Sequence, residues 1–175
     1  MAAVTRLVSV DDARAFARLF TENRDYLAPW FPLFTEGHFT EEGQRAILAA
    51  TLQAYERGAT FPLAILDTDG AVCGRVNLNN IIRGAFQNAS VGYWVSQSHA
   101  GRGLASAAVG EIVASAFTEL GLHRLDACTL LHNTPSQRVL TRNGFRPFTV
   151  IEQYLKIAGK WQDHILFQLR NPNMP

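Results

Sequence analysis

The chain has 175 residues, enough for one well-buried core and too few for two ordinary domains, so a single domain over residues 1–175 is expected. With 47% hydrophobic residues, 18% charged residues and a formal net charge of +1, its composition is that of a soluble globular protein and excludes a strongly basic nucleic-acid surface. No apolar run approaches the ~20 residues that span a bilayer, and Met1-Ala2-Ala3-Val4-Thr5-Arg6 lacks the apolar core of a signal peptide, which predicts a cytoplasmic protein without membrane contact.

Arg6-Leu7-Val8 is predicted as an edge strand, after which Ser9 or Asp11 caps a first helix carrying Ala13, Phe16, Ala17, Leu19 and Phe20. That helix is expected to end near Asn23 to Tyr26. Leu27-Ala28-Pro29-Trp30-Phe31-Pro32-Leu33-Phe34 is rich in proline and aromatics and reads as an irregular apolar loop. Thr40 caps a second helix with Glu41 and Glu42 in its first turn, where the helix dipole favours acids; Ile47, Leu48 and Leu52 are apolar positions and Gly58 ends it. From Phe61 the pattern changes to strands: Phe61 to Leu66, Ala71 to Ile82 and Ala89 to Val95, joined by a turn at Asp67-Thr68-Asp69-Gly70 and a loop around Gly84.

Val91-Gly92-Tyr93-Trp94-Val95 then leads through Ala100-Gly101-Arg102-Gly103-Leu104-Ala105 into a long amphipathic helix. Leu104, Ala105, Ala108, Val109, Ile112, Val113, Ala116, Phe117 and Leu120 share one face, and Gly121 supplies the stop. Consecutive backbone N–H groups at such a turn have no intrahelical partner, and the helix dipole places partial positive charge beside them, so the loop is suited to a pyrophosphate. Gly101 and Gly103 admit a ligand close to the backbone, and Arg102 adds a flexible cation. A plain strand-to-helix turn is the structural alternative. A Walker loop is excluded because no Lys follows Gly103. The dinucleotide fingerprint fails because Ser106 holds its third glycine position and Leu131 and His132 stand where an acid belongs.

Downstream, Arg124 to Leu131 reads as a central strand. Asn133-Thr134-Pro135-Ser136-Gln137 opens another helix, with Thr134 as N-cap, Pro135 in the first helical position and Gln137 closing a capping box, and Gly144 stops it. Two closing strands, Phe145 to Ile157 and Lys160 to Leu169, turn at Ala158-Gly159. Cys73 and Cys128 lie in strand-like apolar sequence and read as reduced core residues, and the histidines are scattered, so no metal is expected.

This order of elements, together with two motifs, resembles the GCN5-related N-acetyltransferase (GNAT) superfamily over nearly the whole chain. Ala100-Gly101-Arg102-Gly103-Leu104-Ala105 is similar to the family's pyrophosphate motif, departing at Ala100 where Gln or Arg is usual. Asn133-Thr134-Pro135-Ser136-Gln137-Arg138-Val139-Leu140-Thr141-Arg142-Asn143-Gly144-Phe145 is similar to its NxxSxxVLxxxGF segment. Tyr26-Leu27-Ala28-Pro29-Trp30 and Tyr154-Leu155-Lys156-Ile157-Ala158-Gly159-Lys160-Trp161-Gln162-Asp163-His164 look like the RimJ/RimL branch, which acetylates N-terminal residues of ribosomal proteins. The resemblance implies an α/β (α+β) fold: a mixed, mostly antiparallel twisted sheet of about six or seven strands flanked by about four helices.

It also implies roles. Acetyl-CoA would be the cosubstrate, held by Ala100, Gly101, Arg102, Gly103, Leu104, Ala105 and Ser106 at the pyrophosphate and by the backbone of Tyr93, Trp94 and Val95 along the pantetheine and oxyanion. Asn133 would bond the pantetheine arm. Leu140 occupies the place of the tyrosine acid used by other branches, leaving Ser136 as candidate donor to the thiolate; the alternative is that Ser136 only satisfies a neighbouring amide. Tyr26, Trp30, Ser90 and Tyr93 would face the acceptor, although the aromatics Tyr26, Trp30, Phe31 and Phe34 also suit a packed core.

The general base stays unassigned, because Ser90 and Phe148 stand where relatives carry Glu. A water held by Ser90 or by Asn77 to Asn80, or an amine that arrives neutral, would replace it. Glu152, Asp163 and His164 read as structural or solvated. The leading reading is acetylation of a protein N-terminus by a monomer or homodimer. A small amine acceptor (antibiotic, amino acid or polyamine) is the second, and a CoA-binding regulatory protein without catalysis the third.

Overall fold

The computed structural model describes residues 3–174. Seven strands, β1 (Thr5–Leu7), β2 (Phe61–Leu66), β3 (Val72–Ile82), β4 (Asn88–Val95), β5 (Arg124–Leu130), β6 (Arg146–Ile157) and β7 (Lys160–Arg170), form one sheet in the order β1-β2-β3-β4-β5-β7-β6. Every neighbouring pair is antiparallel except β4–β5. Local chemistry sets the hairpins. At the β2–β3 turn the Asp67 carboxylate accepts from the N–H groups of Asp69 and Ala71, both at 2.9 Å. Ala158 and Gly159 between β6 and β7 take φ of 49° and 78°, the pair of left-handed residues that a two-residue hairpin loop of this hand requires. β4 and β5 run parallel because a helix crosses between them.

Five helices cover the two faces: α1 (Ala13–Glu22), the four-residue α2 (Arg24–Leu27), α3 (Glu41–Glu56), α4 (Leu104–Thr118) and α5 (Thr134–Arg142). On one face Val8, Ala13, Phe16, Leu19 and Leu48 from the α1 and α3 side pack on Ala64 and Val72. On the other, Ala108, Val109, Ile112 and Ala116 of α4 and Leu140 of α5 close on Val76, Leu78, Val91, Leu125 and Ala127. Alternation along the strands explains the two layers: Val76 and Leu78 of β3 point to the α4 side, whereas Arg75 and Asn77 between them point the other way.

Three local expectations need correction. Ser9 caps a 3-10 turn at Val10–Asp12, not α1 itself, and the Asp12 carboxylate bonds back to Ser9 N–H at 2.8 Å while pairing with Arg6 at 2.7 Å. The segment from Leu27 is not irregular throughout, since α2 is followed by a 3-10 turn at Ala28–Trp30; Pro29 lies in its first turn, where its fixed φ fits and no N–H is needed. Finally, the N-cap of α5 is Asn133. Thr134 is already helical, and the Gln137 amide donates to the carbonyls of Leu130 (3.3 Å) and Leu131 (3.0 Å) in place of a capping box. Among the described residues no helix is long and apolar enough to cross a membrane.

Candidate functional site

The parallel pairing of β4 with β5 covers only Asn88↔Arg124, Ala89↔Leu125 and Ser90↔Asp126. Beyond Ser90 the strands part. Gly92 to Val95 continue to pair with β3 on their far side, and β5 continues with β7 as far as Leu130↔His164. A wedge therefore opens between β4 from Val91 to Val95 and the second half of β5, and the β4 backbone groups on that side have no β5 partner. Trp94 and Val95 lie on this open edge; Gly74 lets β3 approach them, because a Cβ there would meet Trp94 O at 2.3 Å.

At the head of the wedge the chain makes a 3-10 turn (Gln97–His99) and enters α4 through Ala100, Gly101, Arg102 and Gly103. Gly101 and Gly103 have φ of 76° and 82°, and a Cβ at either would project into open space. Gly103 is the N-cap and offers no side-chain acceptor, and Ala107 N–H is the first in the stretch taken up by the helix, bonding Gly103 O at 3.0 Å. Among the described residues the N–H groups of 101 to 106 have no backbone acceptor. They form a row of donors at the positive end of α4, with the exposed Arg102 among them, as an anionic diphosphate requires.

Two asparagines hold this loop in place, and neither was assigned a role from sequence. The buried Asn23, at the end of α1, accepts from Gln97 N–H at 2.7 Å and donates to Leu19 O at 2.8 Å. Asn143, at the end of α5, donates to Ser106 O at 3.1 Å and Ser106 Oγ at 3.3 Å, so Ser106 is tied to α5 through its hydroxyl as well as its carbonyl.

The first turn of α5 closes the other wall. Asn133 Oδ1 accepts from Ser136 N–H at 3.2 Å, leaving the Asn133 amide nitrogen as a donor without a hydrogen-bond partner among the described residues. Tyr93 reaches from β4 to Ser136: its hydroxyl donates to Ser136 O at 2.9 Å and lies 2.7 Å from Ser136 Oγ. Burial pushes the Tyr93 phenol up to about 12, against the opposing effect of its bond to Ser136. Tyr93, placed on the acceptor side from sequence, thus directs its hydroxyl to the α5 side. Leu140 is fully buried in the core, where it can donate nothing.

On the opposite face Trp94 sits among aromatic rings, 6.2 Å from Phe16, 5.0 Å from Phe20 and 6.3 Å from Phe31 between centroids. Phe34 is 5.6 Å from Phe20, so Phe31 and Phe34 belong to this packed cluster. Trp30 instead lies 5.5 Å from His132, over the turn that leads into α5, and Tyr26 stands half-buried in α2, which precedes it. Ser90 faces Asn79 in the β3 ladder, and Asn77 donates to Asn79 at 2.7 Å. Asp126, in register with Ser90, is taken up by Arg124 and Asn88, each at 2.7 Å.

Near the start of β7, Asp163 accepts from Gln153 N–H at 2.9 Å, bracing the irregular stretch of β6. His164 is buried, and its Nδ1 carries the proton it gives to Gln162 O at 2.9 Å. A cavity of about 510 Å³ lined by His123, Arg146 and Arg170 lies at the other end of β5, apart from the wedge. Both cysteines are free.

The family model for the acetyltransferase (GNAT) domain matches residues 4–146. The chain is 34% identical over 169 residues to the probable N-acetyltransferase YjcK of Bacillus subtilis, covering 96% of this chain and 93% of that protein. To the ribosomal protein uS5-alanine N-acetyltransferase of Escherichia coli it is 33% identical over 171 residues, covering 97% and 88%. The solved structure of Mycobacterium smegmatis RimJ in complex with CoA-disulfide matches with a TM-score of 0.92 and 31% identity, covering 98% of this chain and 83% of that one.

Proposed function

Because the chain belongs to the GCN5-related N-acetyltransferase (GNAT) family, we propose that it works as a single acetyltransferase domain in the cytoplasm. It moves the acetyl group of acetyl-CoA directly to the α-amino group of a protein N-terminus of the ribosomal-protein type. The observation that carries this reading is the wedge between β4 and β5, with the unpartnered N–H row of residues 101 to 106 at one end and Asn133, Ser136 and Tyr93 along its wall.

Each group has a part that its chemistry allows. The loop amides and Arg102 take the diphosphate, and the open backbone edge of Tyr93, Trp94 and Val95 takes the pantetheine amides and the developing oxyanion. The free amide nitrogen of Asn133 donates to the pantetheine arm. Ser136 Oγ–H donates to the thiolate as it leaves. Tyr26, Trp30 and Ser90 border the acceptor approach.

The acceptor follows from what stands beside Ser90. The carboxylate in register with it, Asp126, is already engaged by Arg124 and by the Asn88 amide, and no other carboxylate among the described residues pairs with Ser90 across the sheet. An α-amine, with a pKa of about 7.7–8.0 against about 10.4 for lysine, is already neutral far more often near pH 7. The uS5-alanine enzyme of Escherichia coli, aligned over nearly the whole chain, supports an N-terminus beginning with a small residue such as alanine.

The test offers short peptides with free or blocked N-termini, some with internal lysine, alongside a panel of small amines, and locates the acetyl group by mass spectrometry. Acetyl on the free α-amine is expected. Acetylation confined to lysine side chains, or turnover of small amines while every free N-terminus is ignored, rejects the reading in favour of another amine. Acetyl-CoA binding without any turnover points to a CoA-binding regulatory protein.

A further inference from the structure

Ser136 has one hydroxyl proton, and where that proton points decides whether it can meet a departing thiolate. A serine near the start of a helix ordinarily turns its hydroxyl to a nearby backbone group. Here the nearest polar neighbours of Ser136 Oγ include a second hydroxyl, Tyr93 Oη, at 2.7 Å, which also lies 2.9 Å from Ser136 O. One phenolic proton serves two acceptors, so two arrangements exist. In the first, Tyr93 donates to the Ser136 carbonyl and Ser136 Oγ–H donates to Tyr93. In the second, Tyr93 donates to Ser136 Oγ, and the serine proton is free to turn into the wedge.

We propose that Tyr93 is a positioning residue for acetyl transfer: its hydroxyl holds Ser136 Oγ from behind so that the serine proton faces the sulfur of the leaving group. This rests on the reading of Ser136 as the thiolate's donor. The amine lone pair forms the C–N bond at the thioester carbon, and the carbonyl π pair moves to oxygen. When that pair returns, the C–S bond breaks and its electrons stay on sulfur. Ser136 Oγ–H donates to the thiolate and Tyr93 Oη–H donates to Ser136 Oγ. Neither hydroxyl loses its proton; the proton released by the amine passes to water, and the thiolate is protonated from solvent.

Negative charge on sulfur selects the second arrangement, because each donor in a chain ending on an anion strengthens the next. The phenol must stay protonated to serve, and its burial ensures that it does. The ring itself packs against the core beneath α4, so the hydroxyl can be removed without opening a cavity.

The test is a double-mutant cycle on kcat, with KM for acetyl-CoA and the melting temperature measured for each protein. Tyr93→Phe is expected to lower kcat by about 10–100-fold, the weight of a hydrogen bond to a charged chain, with KM unchanged. In a Ser136→Ala background the same change should have no further effect. Equal fractional losses in both backgrounds, or full kcat in Tyr93→Phe while Ser136→Ala is slow, overturn the positioning role. Full kcat in Ser136→Ala under conditions where chemistry limits the rate removes the underlying reading of Ser136, and the proposal with it.

Discussion

Asn143 and Ser106, 37 positions apart, are joined twice: the asparagine amide donates to the serine carbonyl and to its hydroxyl, while also bonding Val139 O at 2.9 Å. The end of α5 is thereby fixed to the first turn of α4, where the free amides lie. Asn143→Ala is expected to cost about 1–3 kcal/mol of stability in urea unfolding, because it strands partly buried acceptors. It should also weaken acetyl-CoA binding in calorimetry, through the position of Ser106 at the start of α4. Unchanged affinity with lowered stability would show that the tie serves folding alone.

Gly103 tests the donor row directly. Its φ of 82° makes any L-residue there cost about 1–2 kcal/mol, yet a Cβ would meet nothing within 4 Å, so the fold survives substitution. Gly103→Asp places a carboxylate over the amides that would hold the diphosphate. Titration calorimetry should show acetyl-CoA binding to the parent and a large loss in the variant, with Gly103→Asn as a control that tolerates the same backbone. Equal affinity in parent and folded Asp variant would put the cofactor elsewhere.

Asn133 has two ends with separable tasks. Its Oδ1 caps α5 through Ser136 N–H, and its nitrogen is left to donate. Asn133→Asp keeps the cap and loses the donor, so stability should hold while acetyl-CoA affinity falls. Asn133→Ala loses both, with about 0.5–2 kcal/mol of stability in addition. If the Asp variant binds as tightly as the parent, the pantetheine role assigned to the nitrogen is wrong.

The elements legible in the sequence are those whose signal is local. The spacing of Ala108, Val109, Ile112 and Ala116 marks the buried face of α4 without reference to anything else in the chain, and Gly101 and Gly103 mark the loop before it. The start of α5 slipped by one residue because Asn133 and Thr134 are both good caps and a proline is tolerated in either of the next positions. Only the Asn133 backbone, at φ −82° and ψ 62°, decides between them.

Relationships across the sheet left no periodic trace. Asn23 meets Gln97 across 74 positions and Tyr93 meets Ser136 across 43, and neither pair belongs to a repeating pattern. The sequence places Tyr93 on the acceptor side, and the partner of its hydroxyl is visible only once α5 lies against β4. The aromatic segment after Leu27 proved mixed for a similar reason: Phe31 and Phe34 serve the cluster around Phe20 and Trp94, whereas Trp30 leaves it for His132.

The lone parallel pair has a mechanical consequence. β1 to β4 form one antiparallel block and β5 to β7 another, and the sheet's own seam between them is three residue pairs long, from Asn88↔Arg124 to Ser90↔Asp126. A pantetheine chain lying along Val91 to Val95 would act as an eighth, non-peptide strand, stitching the blocks together where the polypeptide does not. The energy of binding would then also be energy of cohesion, and the two halves of the enzyme would be most firmly one body with the cosubstrate in place.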